Sequence, residues 1–360
     1  MRLVPIEYAR EGNFLAQSLF NDNGQILLSK GVMLNNRLIL KIKEAGFLYI
    51  YINDNKNEEV INDVIKPEIR QKAIASIKKI YSDIEQENGI SSQKRFDYTV
   101  TDLKNVIEGI VDDMFAEKEI MIQLVDIRNL DNYTYSHSVN VAILSLVIGI
   151  SYGLNKNDLY DLTLGALLHD IGKMFIPENL LKKPGALTTD EFNIVQEHSL
   201  RGFNYMKDEL NINARSRIIS LQHHEKVDGT GYPYKLKDKE INLFSKIVSI
   251  ADVYDGLTSD RIYRKAIPVH EALEYIMGGC GRLFDFNLVQ AFVKKVVPYP
   301  IGTIIKLSND VIGIVENVNL DFPLRPTVKI IREKGKICSE YIIDLTKENT
   351  IVVEDIVYNI

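Results

Sequence analysis

Leu164-Gly165-Ala166-Leu167-Leu168-His169-Asp170-Ile171-Gly172-Lys173 closes an apolar run with a histidine, a carboxylate and a lysine. The run has the composition of a buried helix, and an imidazole or carboxylate left unpaired inside one is costly. Coordination to a metal is one of the few ways to hold both there together. Gly172 fits the residue that ends a helix, which sets Lys173 beside the helix terminus, where a cation is favoured. Taken alone, the stretch reads equally well as a satisfied core histidine followed by a polar pair at a helix end.

The remaining histidines shift the balance. The chain has six, His137, His169, His198, His223, His224 and His270, and the first five each lie on or beside an apolar helical pattern. Metal ligation accounts for that clustering better than chance; His270, after Pro268, reads as the structural start of a helix. His223-His224-Glu225 ends a helical run. Neighbouring helical residues point about 100° apart, so both imidazoles reach one centre only if it extends over more than one metal. Asp228-Gly229-Thr230-Gly231-Tyr232-Pro233 follows at once. Glycine and proline make it a tight turn, and its place after two histidines makes it a candidate substrate wall, with Tyr232 available to stack on a base. Asp252 lies inside Ile247-Val248-Ser249-Ile250-Ala251-Asp252-Val253-Tyr254, an apolar helix in which a lone carboxylate calls for a cation. Asp255, Arg261 and Arg264 follow it. Such a charged flank is ordinarily solvated, but arginines at the end of a metal-binding helix suit bidentate phosphate contact.

The chain has 360 residues, 46% of them hydrophobic, which supports two or three domains with a substantial core. A net charge of -6 without a long basic run argues against a nucleic-acid polymer as partner, while small phosphates need only local arginines. Cys280 and Cys338 are too few for a disulfide framework or a thiolate metal site, so a cytoplasmic location is expected. The amino terminus lacks the apolar run of a signal peptide. The most apolar stretch, 141–150, is interrupted by Ser145 and falls short of the roughly 18 to 20 residues that cross a bilayer, so no membrane insertion is expected.

The fold class expected is mainly α, with small flanking domains. Residues 1–65 read as a small mixed α/β domain, with a hairpin leading into Gln25-Ile26-Leu27-Leu28 after Asn23-Gly24, a short helix at 36–45 and a strand at 47–52. Residues 66–130 read as a helical connector, with one helix through Ile69, Ala73, Ile77, Ile80 and Ile84 and another over 101–127. The connector is suited to cap the next domain or to pair with a second copy in a homodimer. Residues 131–297 read as an all-helical block, with helices near 134–152, 156–171, 189–207, 213–224, 241–259, 269–277 and 286–296, and with Thr188, Thr189 or Asp190 as a cap. Residues 298–360 read as a small β domain with strands at 303–307, 311–315, 327–331 and 339–343.

Together the motifs resemble the HD-GYP family, the branch of the HD superfamily whose members hydrolyse the bacterial second messenger cyclic diguanylate. The resemblance runs from His137 to Phe284-Asp285. It is carried by His169-Asp170 with Gly172-Lys173, His198, His223-His224-Glu225, the segment from Asp228 to Pro233, and Ala251-Asp252-Val253-Tyr254-Asp255 running into Thr258-Ser259-Asp260-Arg261. It implies an all-helical domain whose metals are bound by His137, His169, Asp170, His198, His223, His224 and Asp252. It further implies that Asp170 bridges the metals and that Lys173 stabilises charge on the phosphoryl oxygens or orients the hydroxide, while Tyr232, Gly231, Arg261, Arg264 and Asp255 are the candidate substrate contacts. Members with a third metal carry a glutamate one turn before the first histidine. Tyr133 stands there instead, which favours two divalent transition metals. Ile262 replaces a proline usual in the last motif. Imidazole and carboxylate ligands suit iron or manganese, with zinc and cobalt also open. The expected activity is hydrolysis of cyclic diguanylate to the linear dinucleotide or GMP. The alternatives are an inactive cyclic-dinucleotide receptor, against which the complete set of ligands and the lysine argue, and a phosphohydrolase of another nucleotide phosphoester.

Overall fold

The computed structural model describes residues 2–20, 25–47, 49–53, 65, 67–85, 92–116, 133–208, 212–259, 266–333 and 335–358. The chain divides into two compact units, one of residues 1–64, 121–131 and 293–360, the other of residues 65–120 and 132–292.

The first unit begins with β1 (Arg2–Pro5), β2 (Phe14–Leu15), β3 (Leu19–Phe20), β4 (Ile26–Leu28), α1 (Asn36–Glu44) and β5 (Tyr49–Asn53). β5 lies between β1 and β2 and is antiparallel to both. Alternation along these strands turns Val4, Leu15, Ile50 and Ile52 inward against Ile42 of α1. The Asn35 side chain caps α1 by accepting from Leu38 N at 2.9 Å. β3 and β4 pair as the expected hairpin, whose turn falls outside the described residues.

The named elements described in the second unit are helices: α2 (Pro67–Glu85), α3 (Ser92–Ala116), α4 (Tyr133–Tyr152), α5 (Lys156–Leu167), α6 (Glu178–Leu181), α7 (Thr189–Gln196), α8 (His198–Asp208), α9 (Ala214–Gln222), α10 (Leu243–Thr258), α11 (Val269–Gly278) and α12 (Phe286–Val293). α4 packs on α5 and α10, α5 on α9, and α9 on α8 and α10, while α2 and α3 pair and lie against α4 and α5. Asparagine side chains cap α5, α9 and α10, and Thr188 with Glu191 forms a capping box on α7.

Several boundaries differ from expectation. The helix read at 101–127 starts earlier, at Ser92, and its last part falls outside the described residues. The helix read at 156–171 stops at Leu167, and a turn leads into a 3-10 helix over Ile171–Phe175. The helix read at 189–207 is two helices. Its ladder tightens at Glu197, whose N–H reaches Ile194 O at 3.2 Å, and the Val195 carbonyl receives the His198 side chain at 2.7 Å. The span reading of the apolar run is also revised. Thr134–Tyr152 is long and apolar enough to cross a bilayer, yet most of it is buried, with Val139, Leu146, Val147 and Ile148 in the interior of the helical unit.

The chain ends in β6 (Ile304–Leu307), β7 (Val311–Asn317), β8 (Thr327–Glu333), β9 (Lys336–Asp344) and β10 (Val353–Ile356), an antiparallel sheet of order β10-β6-β7-β8-β9. β10 is one strand more than the sequence suggested. It has four residues and shifts register between Val353 and Asp355, so its alternation is weak.

Candidate metal centre

Gly172 is not a helix-ending residue. It sits in the 3-10 turn, where a Cβ would collide with the His198 carbonyl oxygen and lie 2.6 Å from Gly202 N. The bare backbone lets this turn press against the start of α8, which sets Asp170 Oδ1 3.5 Å from His198 Nε2.

Asp170 is the point on which four helices converge. Its Oδ2 lies 3.3 Å from His169 Nε2 and 3.7 Å from His137 Nε2 at the start of α4. Its Oδ1 faces His198 Nε2 and, at 3.8 Å, His223 Nε2 at the end of α9. Each oxygen thus addresses a different pair of imidazoles. One ligand atom from each of Asp170, His198, His223 and His224 falls within 4.8 Å of the others, as does one from each of His137, His169 and Asp170. Asp252, in mid α10, reaches both ends of the group, with Oδ1 3.2 Å from His137 Nε2 and Oδ2 3.8 Å from His224 Nδ1.

The outer nitrogens fix the tautomers. His169 Nδ1 donates to Ala166 O at 2.7 Å, His198 Nδ1 to Val195 O at 2.7 Å, and His223 Nδ1 to Ser220 O at 2.9 Å. A carbonyl only accepts, so these Nδ1 atoms carry the hydrogen and each Nε2 presents a lone pair inward. His169 Nε2, His198 Nε2, His223 Nε2 and Asp170 Oδ1 are buried without a hydrogen-bond partner. Nearly all buried polar atoms in folded proteins are paired. Lone pairs facing a carboxylate at these separations are acceptor against acceptor, an arrangement that a cation between them satisfies. The residues present therefore fit a metal of borderline hardness bound by nitrogen and oxygen.

The titration behaviour agrees. Burial pushes His198 down to about 3, with the neighbouring Lys173 and His223 acting in the same direction. Burial likewise lowers His223, and lowers His224 well below its usual range with help from His223 and His198. All three are then neutral at pH 7, the form that binds metal. Burial alone would raise Asp170 and Asp252, but Lys173 and His169 hold Asp170 well below the carboxylate range, and His137 does so for Asp252. His137 is the exception. Burial would lower it, but hydrogen bonds to Asp252 and Asp255 outweigh burial and lift it to about 9.

Asp255, read from the sequence as a substrate contact, lies behind the centre. It is buried, accepts from His137 Nδ1 at 2.7 Å and from Asn140 Nδ2 at 3.1 Å, and so orients the His137 ring. Gly231 is also not at an open surface. It is buried, and a Cβ there would lie 2.5 Å from His224 O. Its bareness lets the Asp228–Pro233 loop fold onto the end of α9, where Tyr232 N donates to His224 O at 3.3 Å. Tyr232 does reach the centre, with its ring 4.6 Å from that of His224 at an interplanar angle of 31°. Lys173 Nζ donates to Asp170 Oδ2, and its side chain keeps 32% exposure. Arg261 and Arg264 lie outside the described residues.

Three contributors were given no role in the sequence reading. Glu225, buried, accepts from Tyr234 N at 2.7 Å and Leu236 N at 3.0 Å and so anchors the loop that carries Tyr232. Phe192 on α7, 45% exposed, sets its ring 6.1 Å from that of Tyr232. Asn140 was hidden by the apolar run of α4. An acid directly after two histidines was the one usable signal among them.

Residues 119–288 match the HD domain family, and residues 304–359 match the KOW domain associated with HD domain. A cyclic di-GMP phosphodiesterase of Pseudomonas aeruginosa is 35% identical over 226 residues, 63% of this chain and 54% of that protein. One from Thermotoga maritima is 35% identical over 196 residues, 52% of this chain and 53% of that protein. The cyclic di-GMP phosphodiesterase response regulator RpfG of Xanthomonas campestris is 34% identical over 180 residues, 49% of this chain and 48% of that protein. The chain thus spans about half the length of the curated relatives it matches. Residues 119–288 are an HD domain, and within that span lie the His169-Asp170 and Gly231-Tyr232-Pro233 motifs.

Proposed function

We propose that this chain hydrolyses cyclic diguanylate to the linear dinucleotide or GMP, using two divalent metal ions, iron or manganese, held by His137, His169, Asp170, His198, His223, His224 and Asp252. The observation that carries the reading is the Asp170 carboxylate, each of whose oxygens faces a separate pair of inward-pointing imidazoles. Metals held there neutralise a phosphodiester and make water acidic enough to supply a nucleophile at neutral pH.

The chain's own residues do the rest. Asp170 joins the two halves of the centre. Lys173, partly exposed beside it, offers a fixed ammonium to the charge that develops on the phosphoryl oxygens, where a preorganised donor is worth most. Tyr232, its ring laid against His224 and its loop anchored by Glu225, gives a nucleobase a flat face to stack on, and Phe192 extends that wall. Arg261 and Arg264, following the Asp252 helix, contribute bidentate contacts to the phosphates.

Protein purified without oxygen should carry about two transition-metal ions per chain and turn over cyclic diguanylate within a panel of cyclic dinucleotides. Lys173→Ala should keep its metals and its affinity for the substrate yet hydrolyse about 100-fold more slowly, the scale of one preorganised electrostatic contact. Fully metal-loaded wild type that binds the dinucleotide and leaves it intact would replace this reading with that of a receptor.

A further inference from the structure

The hydrogen bond from Asn140 to Asp255 is one link of a longer chain that starts upstream of the residues matched to the HD domain. Arg70 on α2 donates from Nη1 to Asn140 Oδ1 at 2.7 Å. Asn140 Nδ2 donates to Asp255 Oδ1 at 3.1 Å, and Asp255 Oδ2 accepts from His137 Nδ1 at 2.7 Å. Asn140, Asp255 and His137 are all buried.

The direction of each link is forced. A guanidinium only donates, so Asn140 must turn its oxygen to Arg70 and its amino group to Asp255. An ionised carboxylate only accepts, so His137 carries its hydrogen on Nδ1 and keeps Nε2 for the side facing Asp170 and Asp252. Ser259 Oγ adds a second donor to Asp255 Oδ2 at 3.2 Å, which holds the carboxylate but says nothing to the amide. Among the described residues, Arg70 is the one that distinguishes the two ends of the Asn140 amide from its far side. Without it the amide is free to rotate, setting Oδ1 against Asp255 Oδ1, acceptor against acceptor.

Arg70 also stands on a built interface. Ala73, Ile77, Ile80, Tyr81 and Ile84 of the same helix are buried, and the Tyr81 ring meets Tyr135 of α4 edge-on at 5.4 Å. We propose that Arg70 is a positioning residue of the metal centre, which fixes the Asn140 amide and through it the Asp255–His137 pair, so that α2 belongs to the functional unit. The proposal rests on the reading of His137 as a metal ligand.

The test is metal retention by the full-length protein loaded with Mn(II), titrated against a competing chelator. Outer partners of metal-bound histidines typically govern affinity by about 10- to 100-fold, so Asp255→Asn and Asn140→Ala should fall in that range and Arg70→Ala near its lower end. Arg70→Lys, which still donates, should recover most of the loss. In an Asp255→Asn background Arg70→Ala should add no further loss, because the relay is already cut. Lys79→Ala, on the same helix with Nζ 3.9 Å from Asp102 of α3, should bind as wild type does. If the alanine variant does not fold, Arg70→Met keeps the aliphatic stem without a donor and should show the same loss. An Arg70 variant that melts earlier but holds metal as tightly as wild type overturns the proposal alone. Losses that add in the double variant do the same. Wild type that takes up no Mn(II) overturns the reading of the centre, and this proposal with it.

Discussion

The helical unit and the C-terminal sheet treat charge in opposite ways. The sheet buries Ile305, Leu307, Val311, Val315, Val328 and Ile330, and its pairs Lys306–Glu354 at 2.7 Å and Lys329–Glu340 at 2.6 Å stand at the surface. Exposed pairs of that kind add little to stability. The helical unit instead buries His137, His169, Asp170, His198 and His223 in one place and leaves three imidazole nitrogens there without a partner. Unsatisfied buried acceptors each cost about 1 to 3 kcal/mol. A chain able to build the sheet's apolar interior carries such a cluster only where something outside the chain satisfies it. One region is arranged for stability, and the other gives some up for a ligand.

Asp170→Ala breaks that contrast most severely. With the shared carboxylate gone, elemental analysis should find less than half of the wild-type metal, and turnover should fall by about 1,000-fold or more. Full metal retention would mean that the two clusters of imidazoles do not depend on the carboxylate between them. On the other side, Ile330→Ala removes a fully buried side chain from mid β8 and should cost about 2 to 5 kcal/mol in denaturant unfolding. Metal per folded chain should stay at the wild-type level. A parallel fall in metal content would show that the sheet and the centre are one energetic system.

How much of this was readable beforehand follows from what each residue needs. The clustered positions of the centre stood out because histidine and aspartate are conspicuous in apolar helical runs, and β6, β7 and β8 because alternation is a local signal. What escaped depends on contacts distant in sequence. Gly172 looks like a helix end until α8 is known to lie against it. Asp255 shares a face of α10 with Asp252, three residues earlier, and spacing alone cannot say that one meets the centre while the other supports His137 from behind. The break at Glu197 arises because the His198 side chain takes the Val195 carbonyl, which no periodicity reports. Arg70 lies 70 positions from its partner in the sequence.

The smallest of the three effects sharpens the comparison through pH. Every histidine of the chain lies between His137 and His270, within the helical unit, so titration between pH 5 and 7 acts there and not on the sheet. With the metals removed by a chelator, burial holds His198 at about 3 and also depresses His223 and His224, while in the unfolded chain all three titrate near 6.5. As pH falls through 6.5 the unfolded chain takes up protons that the folded chain refuses, and stability drops. His137 has the opposite sign. Its folded value of about 9 gives a stabilisation that fades as pH rises from 6.5 to 9 and is already complete below 6.5, so it cannot offset the loss on further acidification. The chelated protein should therefore melt at progressively lower temperature from pH 6.5 to pH 5. The metal-loaded protein should hold its melting temperature further down that range, because bound metal keeps protons off the inward nitrogens. A chelated protein as stable at pH 5 as at pH 7 would mean that the imidazoles accept protons in the folded state, and that the cluster is a solvated polar pocket rather than a set of ligands held ready for metal.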